Sequence, residues 1–192
     1  MKFFKSYLLF IVLFSVLAPD SIRAKNFDFS EWDGLLKRYV GSKIIDGIPL
    51  NTIDYGKLKS DSVFHQLVSD LKLFIPSQLQ TQEEKVAFWI NVYNVFAVKM
   101  VVDNYPLDSI KDIGNFFKPV WKYEAGIVGD RKYTLDEIEH EILRKMGEPR
   151  VHAAIVCASV SCPDLSIDAF DPEILNEQLD AQVRVFLANS KK

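Results

Sequence analysis

Residues 81–105 read TQEEKVAFWINVYNVFAVKMVVDNY, and this stretch decides the fold of the chain. Thr81 followed three residues later by Glu84 is the pattern of a capping box, which begins a helix. Apolar residues then occupy nearly every turn up to Tyr105, and Pro106 follows. A helix that is apolar on all sides is buried at the centre of a domain. The stretch therefore predicts a central core helix with the other elements packed around it.

Amphipathic helices are predicted on both sides of this core helix. Apolar residues recur there every three or four positions, which is helical spacing, and a second capping box stands at Thr134 and Glu137. The predicted helices cover residues 29–40, 60–73, 135–146 and 172–188.

Two other stretches favour extended structure. Residues 44–55 carry glycine, proline and asparagine among apolar residues, which indicates short extended pieces and turns. Residues 151–157 (VHAAIVC) form a short apolar run and are predicted as a buried strand. No linker divides the chain, so we expect one α+β domain in which helices pack on a small sheet.

The first 24 residues have the plan of a secretory signal peptide. Lys2 and Lys5 precede an uncharged apolar run over residues 8–18, and Ile22, Arg23 and Ala24 offer a cleavage site before Lys25 that departs from the ideal pattern. This run is too short to span a bilayer, although a retained anchor is the alternative. The expected mature domain is residues 25–192, and the expected location is periplasmic or secreted.

Composition excludes several function classes. The chain has 192 residues, a formal net charge of −3 and a pI near 5.6, so it lacks the basic surface of a nucleic-acid-binding protein. Beyond the leader no apolar run has the length of a membrane span, and no membrane contact is expected after cleavage. Neither a Gly-rich phosphate loop nor a Gly-x-Ser-x-Gly elbow is present, which disfavours ATP, NAD and serine-hydrolase chemistry. No cofactor is expected.

Three blocks of sequence resemble one family in their residues, order and spacing. They are AFWINVYN at residues 87–94, YTLDEIEHEILR at residues 133–144 and RVHAAIVCASVSCPDL at residues 150–165. Together they resemble the DUF547 family over about residues 29–188. Ala153 stands where Phe is usual in that family, and relatives usually continue past the position of Lys192. We therefore expect either a domain truncated at its C-terminal end or an unusually short member of the family. The resemblance implies a fold and chemistry similar to thiol hydrolases of the papain and transglutaminase type.

This resemblance makes Cys157 the candidate nucleophile of a hydrolase or acyl transferase acting on a peptide or amide. A cysteine nucleophile needs an imidazole nearby to lower its pKa. His152 would lie about 16 Å away on the opposite face if residues 151–157 form a strand. His140 is therefore the candidate base, and Glu137, three residues earlier on the same helical face, would orient it. The alternatives are a capping role for Glu137 and a simple pairing of His140 with Glu137 or Asp136.

Three further residues are candidates for lining a substrate site. Ser159 follows Cys157 in a serine-rich turn whose backbone N–H groups, with that of Ala158, could bind an oxyanion. Asn91 and Asn94 lie three residues apart on the apolar core helix and could face the same cleft. Buried amides must be hydrogen-bonded, so the alternative is that both tie the helix to neighbouring backbone.

A disulfide between Cys157 and Cys162 leads to a different function. Thiols of exported proteins tend to be paired, and a turn through the four intervening residues could bring the two α-carbons within about 6 Å. The domain would then bind a partner protein without catalysis. Its candidate contact loop would contain Phe116, Phe117, Trp121 and Tyr123.

A zinc site formed by His140, Cys157 and Cys162 is a weaker alternative. No Cys-x-x-Cys spacing supports it, and no metal is expected.

Overall fold

The computed structural model of the chain describes residues 26–45, 47–157 and 162–189. The predicted signal peptide lies outside the described residues. The helices are α1 (Ser30–Tyr39), α2 (Tyr55–Leu58), α3 (Ser62–Leu71), α4 (Gln82–Asn104), α5 (Leu135–Glu137), α6 (Val151–Ala154) and α7 (Leu175–Ala188). Strands β1 (Val40–Ile45) and β2 (Ile48–Ile53) form one antiparallel pair, and β3 (Glu124–Val128) and β4 (Arg131–Thr134) form another. The α+β class is confirmed, although the described strands form two separate hairpins rather than one sheet.

Helix α4 forms the core, as its sequence predicts. The Thr81 hydroxyl accepts a hydrogen bond from the Glu84 amide at 3.1 Å, and the Glu84 carboxylate accepts one from the Thr81 amide at 3.0 Å. Every residue from 86 to 98 is buried. Among the described residues α4 is the one helix long and apolar enough to cross a membrane, but 89% of its most apolar window is buried inside the protein. Burial on all sides explains why the helix has no polar face.

The other elements pack around α4. Helices α1, α2 and α3 lie on one side, with α1 against α3 and α2 against α4. Strand β3 crosses α4 so closely that a Cβ atom added at Gly126 would stand 2.3 Å from the ring of Phe96. Only glycine allows this crossing, because any side chain would enter the space of a fully buried phenyl ring.

The helix predicted over residues 135–146 is present but not uniformly α-helical. Helix α5 continues into a π-helical turn, Ile138–Leu143, and then a 3₁₀ turn, Arg144–Met146. The Thr134 hydroxyl caps its start by accepting a hydrogen bond from the Glu137 amide at 3.0 Å. Gly147, with φ +76°, ends it in the left-handed conformation that favours glycine.

The predicted strand over residues 151–157 is wrong. Val151–Ala154 forms the helical turn α6, and Ile155 and Val156 follow it as buried irregular chain. A short apolar run is compatible with either structure, so periodicity alone cannot distinguish them. The argument that strand geometry separates His152 from Cys157 therefore no longer holds.

Candidate functional site

The two cysteines of the chain are bonded to each other. The Cα atoms of Cys157 and Cys162 are 6.1 Å apart and their sulfur atoms form a disulfide, as the spacing indicated. The structure contains no free cysteine. In this oxidised state Cys157 has no thiol that could act as a nucleophile.

The predicted base and its orienting carboxylate are not paired with each other. His140 is 41% exposed, and its Nε2 atom lies 3.7 Å from a carboxylate oxygen of Asp136. The carboxylate of Glu137 pairs instead with the guanidinium of Arg131 on β4. The π-helical turn that carries His140 packs on α4, whereas the helix preceding Cys157, α6, packs on α7. The described ion pairs thus join Glu137 to Arg131 and His140 to Asp136, and the triad of Cys157, His140 and Glu137 stays a prediction.

Two carboxylates near His140, those of Asp136 and Glu139, lie beside the buried side chain of Tyr93. Tyr93 of α4 is buried, and its pKa is raised by that burial and by the neighbouring carboxylates of Glu139 and Asp136. The Tyr93 side chain therefore lies next to Glu139 and Asp136. Glu139 accepts a hydrogen bond from Arg144 at 2.9 Å. These contacts hold the π-helical turn against α4.

Asn91 and Asn94 both bind backbone groups. The Asn94 amide donates to the Ala154 carbonyl at 2.9 Å and accepts from the Val156 N–H at 3.1 Å. Asn91 makes the same pair of bonds with Phe170, at 2.8 and 2.9 Å. Both side chains are buried and use both ends of their amide groups, so they position backbone rather than present polar groups to a cleft. Ser159, the third candidate lining residue, lies outside the described residues.

An open groove of about 940 Å³ lies on another side of α4. Its floor contains Phe27, Phe29 and Phe88, whose rings pack with centroids 4.7 to 6.2 Å apart. Helix α1 forms one wall, and residues 168–174 with the start of α7 form the other. We call this cavity the acidic groove because of the carboxylates that line it, which are Asp28, Asp33, Glu83, Glu84, Asp168, Asp171 and Glu173.

One cation stands among the described residues that line the acidic groove. Lys37 pairs with Asp33 at 2.6 Å and with Asp168 at 3.3 Å. Its pKa is raised by hydrogen bonds to both carboxylates. The carboxylates of Glu83 and Glu173 form no hydrogen bond or ion pair with a described residue. The lining therefore carries a large excess of negative charge.

Side chains of three helices hydrogen-bond to the backbone of the second wall of the acidic groove. The Ala169 N–H donates to Asp33 of α1 at 3.1 Å, and the Ala169 carbonyl accepts from Gln178 of α7 at 2.8 Å. The side-chain amide of Asn91 on α4 forms two hydrogen bonds with the backbone of Phe170. Nearby, the Oδ1 atom of Asn26 is buried and accepts no hydrogen bond within the described residues. The groove is therefore preformed, and one acceptor in its lining lacks a donor.

A smaller pocket of about 260 Å³ lies beside the disulfide. Val156 and Pro163, which adjoin the two cysteines, form part of its lining together with apolar residues of α4 and β2. Burial raises the pKa of Tyr55, another lining residue, to about 12. The pocket is mostly apolar.

Sequence reasoning missed the acidic groove. Its two walls are more than a hundred residues apart in the chain, so no local pattern joins them. The sequence feature that could have indicated this groove is the series of carboxylates at residues 168–173. An acidic stretch of that length is usually solvated surface, so it does not by itself predict a binding site. Within the described residues no group of three His, Cys, Asp or Glu side chains could hold a metal ion.

Comparison with known proteins identifies the family. The sequence profile described as "Protein of unknown function, DUF547" matches residues 76–187, from the turn before α4 to the end of α7. No curated protein and no solved structure matches the chain. Because the family profile covers more than half of the 192 residues, the protein belongs to the DUF547 family.

Proposed function

We propose that this protein is an exported, non-catalytic binding domain that holds an extended basic peptide segment in its acidic groove. The observation that carries the proposal is the Cys157–Cys162 disulfide, which occupies both thiols of the chain. Disulfides persist in oxidising compartments, which agrees with the signal peptide predicted from the sequence. The stable form of the protein in such a compartment therefore has no thiolate for hydrolysis.

The chemistry of the acidic groove favours a ligand with both basic and apolar side chains. Lysine or arginine side chains would pair with the carboxylates of the rim, and arginine could also stack on the aromatic floor. A volume of about 940 Å³ is enough for several residues of an extended chain. Because the second wall is already fixed by Asp33, Asn91 and Gln178, binding would order little of the protein.

The first experiment tests the state of the cysteines. Mature protein is purified from its exported compartment without reductant, alkylated, and its intact mass is measured across pH 5 to 9. The disulfide predicts no added label before reduction and two labels after it. Two labels without reductant, one of them added rapidly well below pH 7, would contradict the proposal and indicate an activated thiolate.

The second experiment tests the ligand class by calorimetric titration. One peptide alternates lysine with phenylalanine, and its partner carries glutamate in place of lysine. Only the basic peptide is expected to bind. The double variant Glu83→Gln/Glu173→Gln should weaken its binding about tenfold at low salt, because two rim charges are lost.

The matched control is Glu31→Gln/Glu177→Gln. It removes the same charge from the first turns of α1 and α7 at positions that do not line the acidic groove. Equal weakening by the two double variants would attribute binding to overall charge. Binding of both peptides alike by the wild-type protein would exclude a charge-selective groove.

Thiol hydrolysis remains the second candidate, because the apolar pocket of about 260 Å³ adjoins the disulfide. This activity would need a thiol reductant to free Cys157 first. Reduced protein is tested against a panel of peptide and amide substrates, with Cys157→Ser and His140→Ala as variants. Turnover that requires reductant and is lost in both variants would favour the hydrolase over the binding domain.

A further inference from the structure

The most exposed large apolar side chains of the described protein are neighbours on one loop. Phe116 is 97% exposed and Phe117 is 92% exposed. Their rings meet edge to face with centroids 5.5 Å apart. We propose that residues 115–118, the phenylalanine finger, insert into the surface of a lipid bilayer that carries anionic headgroups. This inference goes beyond the proposed peptide binding and does not rest on it. It concerns peripheral contact, whereas the sequence-based expectation of no membrane contact rested only on the length of apolar runs.

Four hydrogen bonds close the turn that carries the phenylalanine finger. The side-chain oxygen of Asn115 accepts hydrogen bonds from the backbone N–H groups of Phe117 and Lys118, both at 2.9 Å. The Asn115 backbone N–H donates to the Lys118 carbonyl at 3.0 Å, and its side-chain amide donates to the Tyr123 hydroxyl at 3.2 Å. The two rings are therefore displayed by a closed turn, and their insertion would not require the loop to become ordered.

A glycine closes the base of this turn. A Cβ atom at Gly114 would lie 2.6 Å from the Val120 backbone nitrogen and 3.0 Å from the Lys118 carbonyl oxygen. The chain passes this close to itself only because residue 114 has no side chain. Val120 is buried behind the turn, so the finger has a packed base and a fully exposed tip.

The charge around the phenylalanine finger is positive, although the protein is acidic overall. Lys111, Lys118 and Lys122 are exposed and form no salt bridge with a described residue. The Lys118 ammonium lies 4.4 Å from the centroid of the Tyr123 ring. The one acidic residue between positions 109 and 123, Asp112, accepts a hydrogen bond from the Ser109 N–H. Lysines beside exposed aromatic rings are the composition of peripheral sites on anionic membranes.

Size and shape favour a lipid surface over a protein partner. Two phenylalanine side chains offer roughly 300–500 Å² of apolar area. A stable protein interface buries about 800 Å² on each partner, so the finger alone is too small for one. A convex tip of this size suits the boundary between headgroups and acyl chains, where inserted side chains reach about 5–10 Å deep.

The test is flotation of the mature protein with lipid vesicles. One set contains phosphatidylcholine alone, and the other contains phosphatidylcholine with 30% phosphatidylglycerol; both are tested at low and high salt. We expect binding to the anionic vesicles that decreases with salt. Phe116→Ala/Phe117→Ala should reduce this binding at least tenfold, and Lys111→Gln/Lys122→Gln should reduce it severalfold and weaken its salt dependence.

A matched control and an internal reporter make the result specific. Leu73→Ala/Leu187→Ala removes two other exposed apolar side chains, which are 80% and 74% exposed, and should bind like the wild type. Trp121, three residues after Lys118, is half-buried, whereas Trp32 and Trp89 are buried. Insertion of the finger would place Trp121 in less polar surroundings, so tryptophan emission should shift to shorter wavelength on vesicle binding. The side chains removed in the double phenylalanine variant and in the double leucine control are all exposed, so both variants are expected to fold.

Three results would overturn the proposal. The first is that the wild-type protein does not bind anionic vesicles. The second is that the double phenylalanine variant binds as well as the wild type. The third is that the finger is required for capture of a purified protein partner while vesicles are not bound, which would assign it to a protein interface.

Discussion

At the scale of single residues, two asparagines position backbone beside the candidate surfaces. Asn94 holds the chain just before Cys157, and Asn91 holds the wall of the acidic groove at Phe170. Each amide satisfies one buried N–H and one buried carbonyl. A buried polar group that loses its partner costs about 1–3 kcal/mol, so each side chain matters more than its size indicates.

Replacement of Asn94 by alanine should destabilise the protein by about 3 kcal/mol. The change leaves the Val156 N–H and the Ala154 carbonyl without partners in the core. Urea unfolding of the oxidised protein measures this loss. The comparison variant is Asn104→Ala, which removes one bond to the Met100 carbonyl at the end of α4 and should cost less than 1 kcal/mol. Equal losses in the two variants would contradict a clamping role for Asn94.

At the scale of elements, the crossing of β3 over α4 depends on the absence of one side chain. Gly126 faces the ring of Phe96, and both are buried. The two antiparallel strands also shift register between Glu124 and Gly126. A bulge at this point lets the strand bend over the helix.

Gly126→Ala should therefore destabilise the protein by about 2 kcal/mol, because its methyl group would overlap the Phe96 ring. Phe96→Leu alone should also be destabilising, since it leaves space in the core. Combined in one protein, the two changes should cost less than the sum of the single losses, because the smaller side chain leaves room for the methyl group. Thermal unfolding of the four proteins gives the coupling energy. Strict additivity would mean that the two residues do not compete for space.

At the scale of the whole molecule, one arginine joins the last helix to the rest of the domain. Arg150, at the start of α6, donates to Asp180 and to the side chain of Asn176 on α7, each at 2.7 Å. It also forms two bonds with the Glu148 carboxylate, at 2.7 and 2.8 Å. These hydrogen bonds lower the pKa of Glu148 from its ordinary value of 4.5.

The lowered pKa of Glu148 predicts the direction of one pH effect. A carboxylate with a depressed pKa stabilises the folded state above its unfolded pKa, and this contribution disappears as the pH falls through the folded value. Glu148→Gln should reduce the free energy of unfolding by about 1 kcal/mol at pH 7. The difference from wild type should shrink as the pH falls below 4.5. Urea unfolding at a series of pH values checks this, and a difference that is constant with pH would contradict it.

Elements whose signals are local could be predicted from the sequence. The capping box at Thr81 and Glu84 and the apolar turns that follow determine α4, since both depend only on neighbouring residues. The three motif blocks likewise identify the family without a structure. The spacing of Cys157 and Cys162 made their disulfide a candidate, because four intervening residues are enough for a closing turn.

Other features were decided only by tertiary structure, because their partners are distant in the chain. Residues 151–154 are helical, with Asn94 and Arg150 holding the turn and its flanks, and no local pattern reveals those contacts. Glu137 pairs with Arg131 rather than His140, because the β3–β4 hairpin brings a guanidinium to it. The acidic groove joins residues more than a hundred positions apart. Sequence alone thus determines the long helices, the apolar segments and the possible crosslink. Tertiary packing decides which charges and amides meet and which structure a short apolar segment adopts.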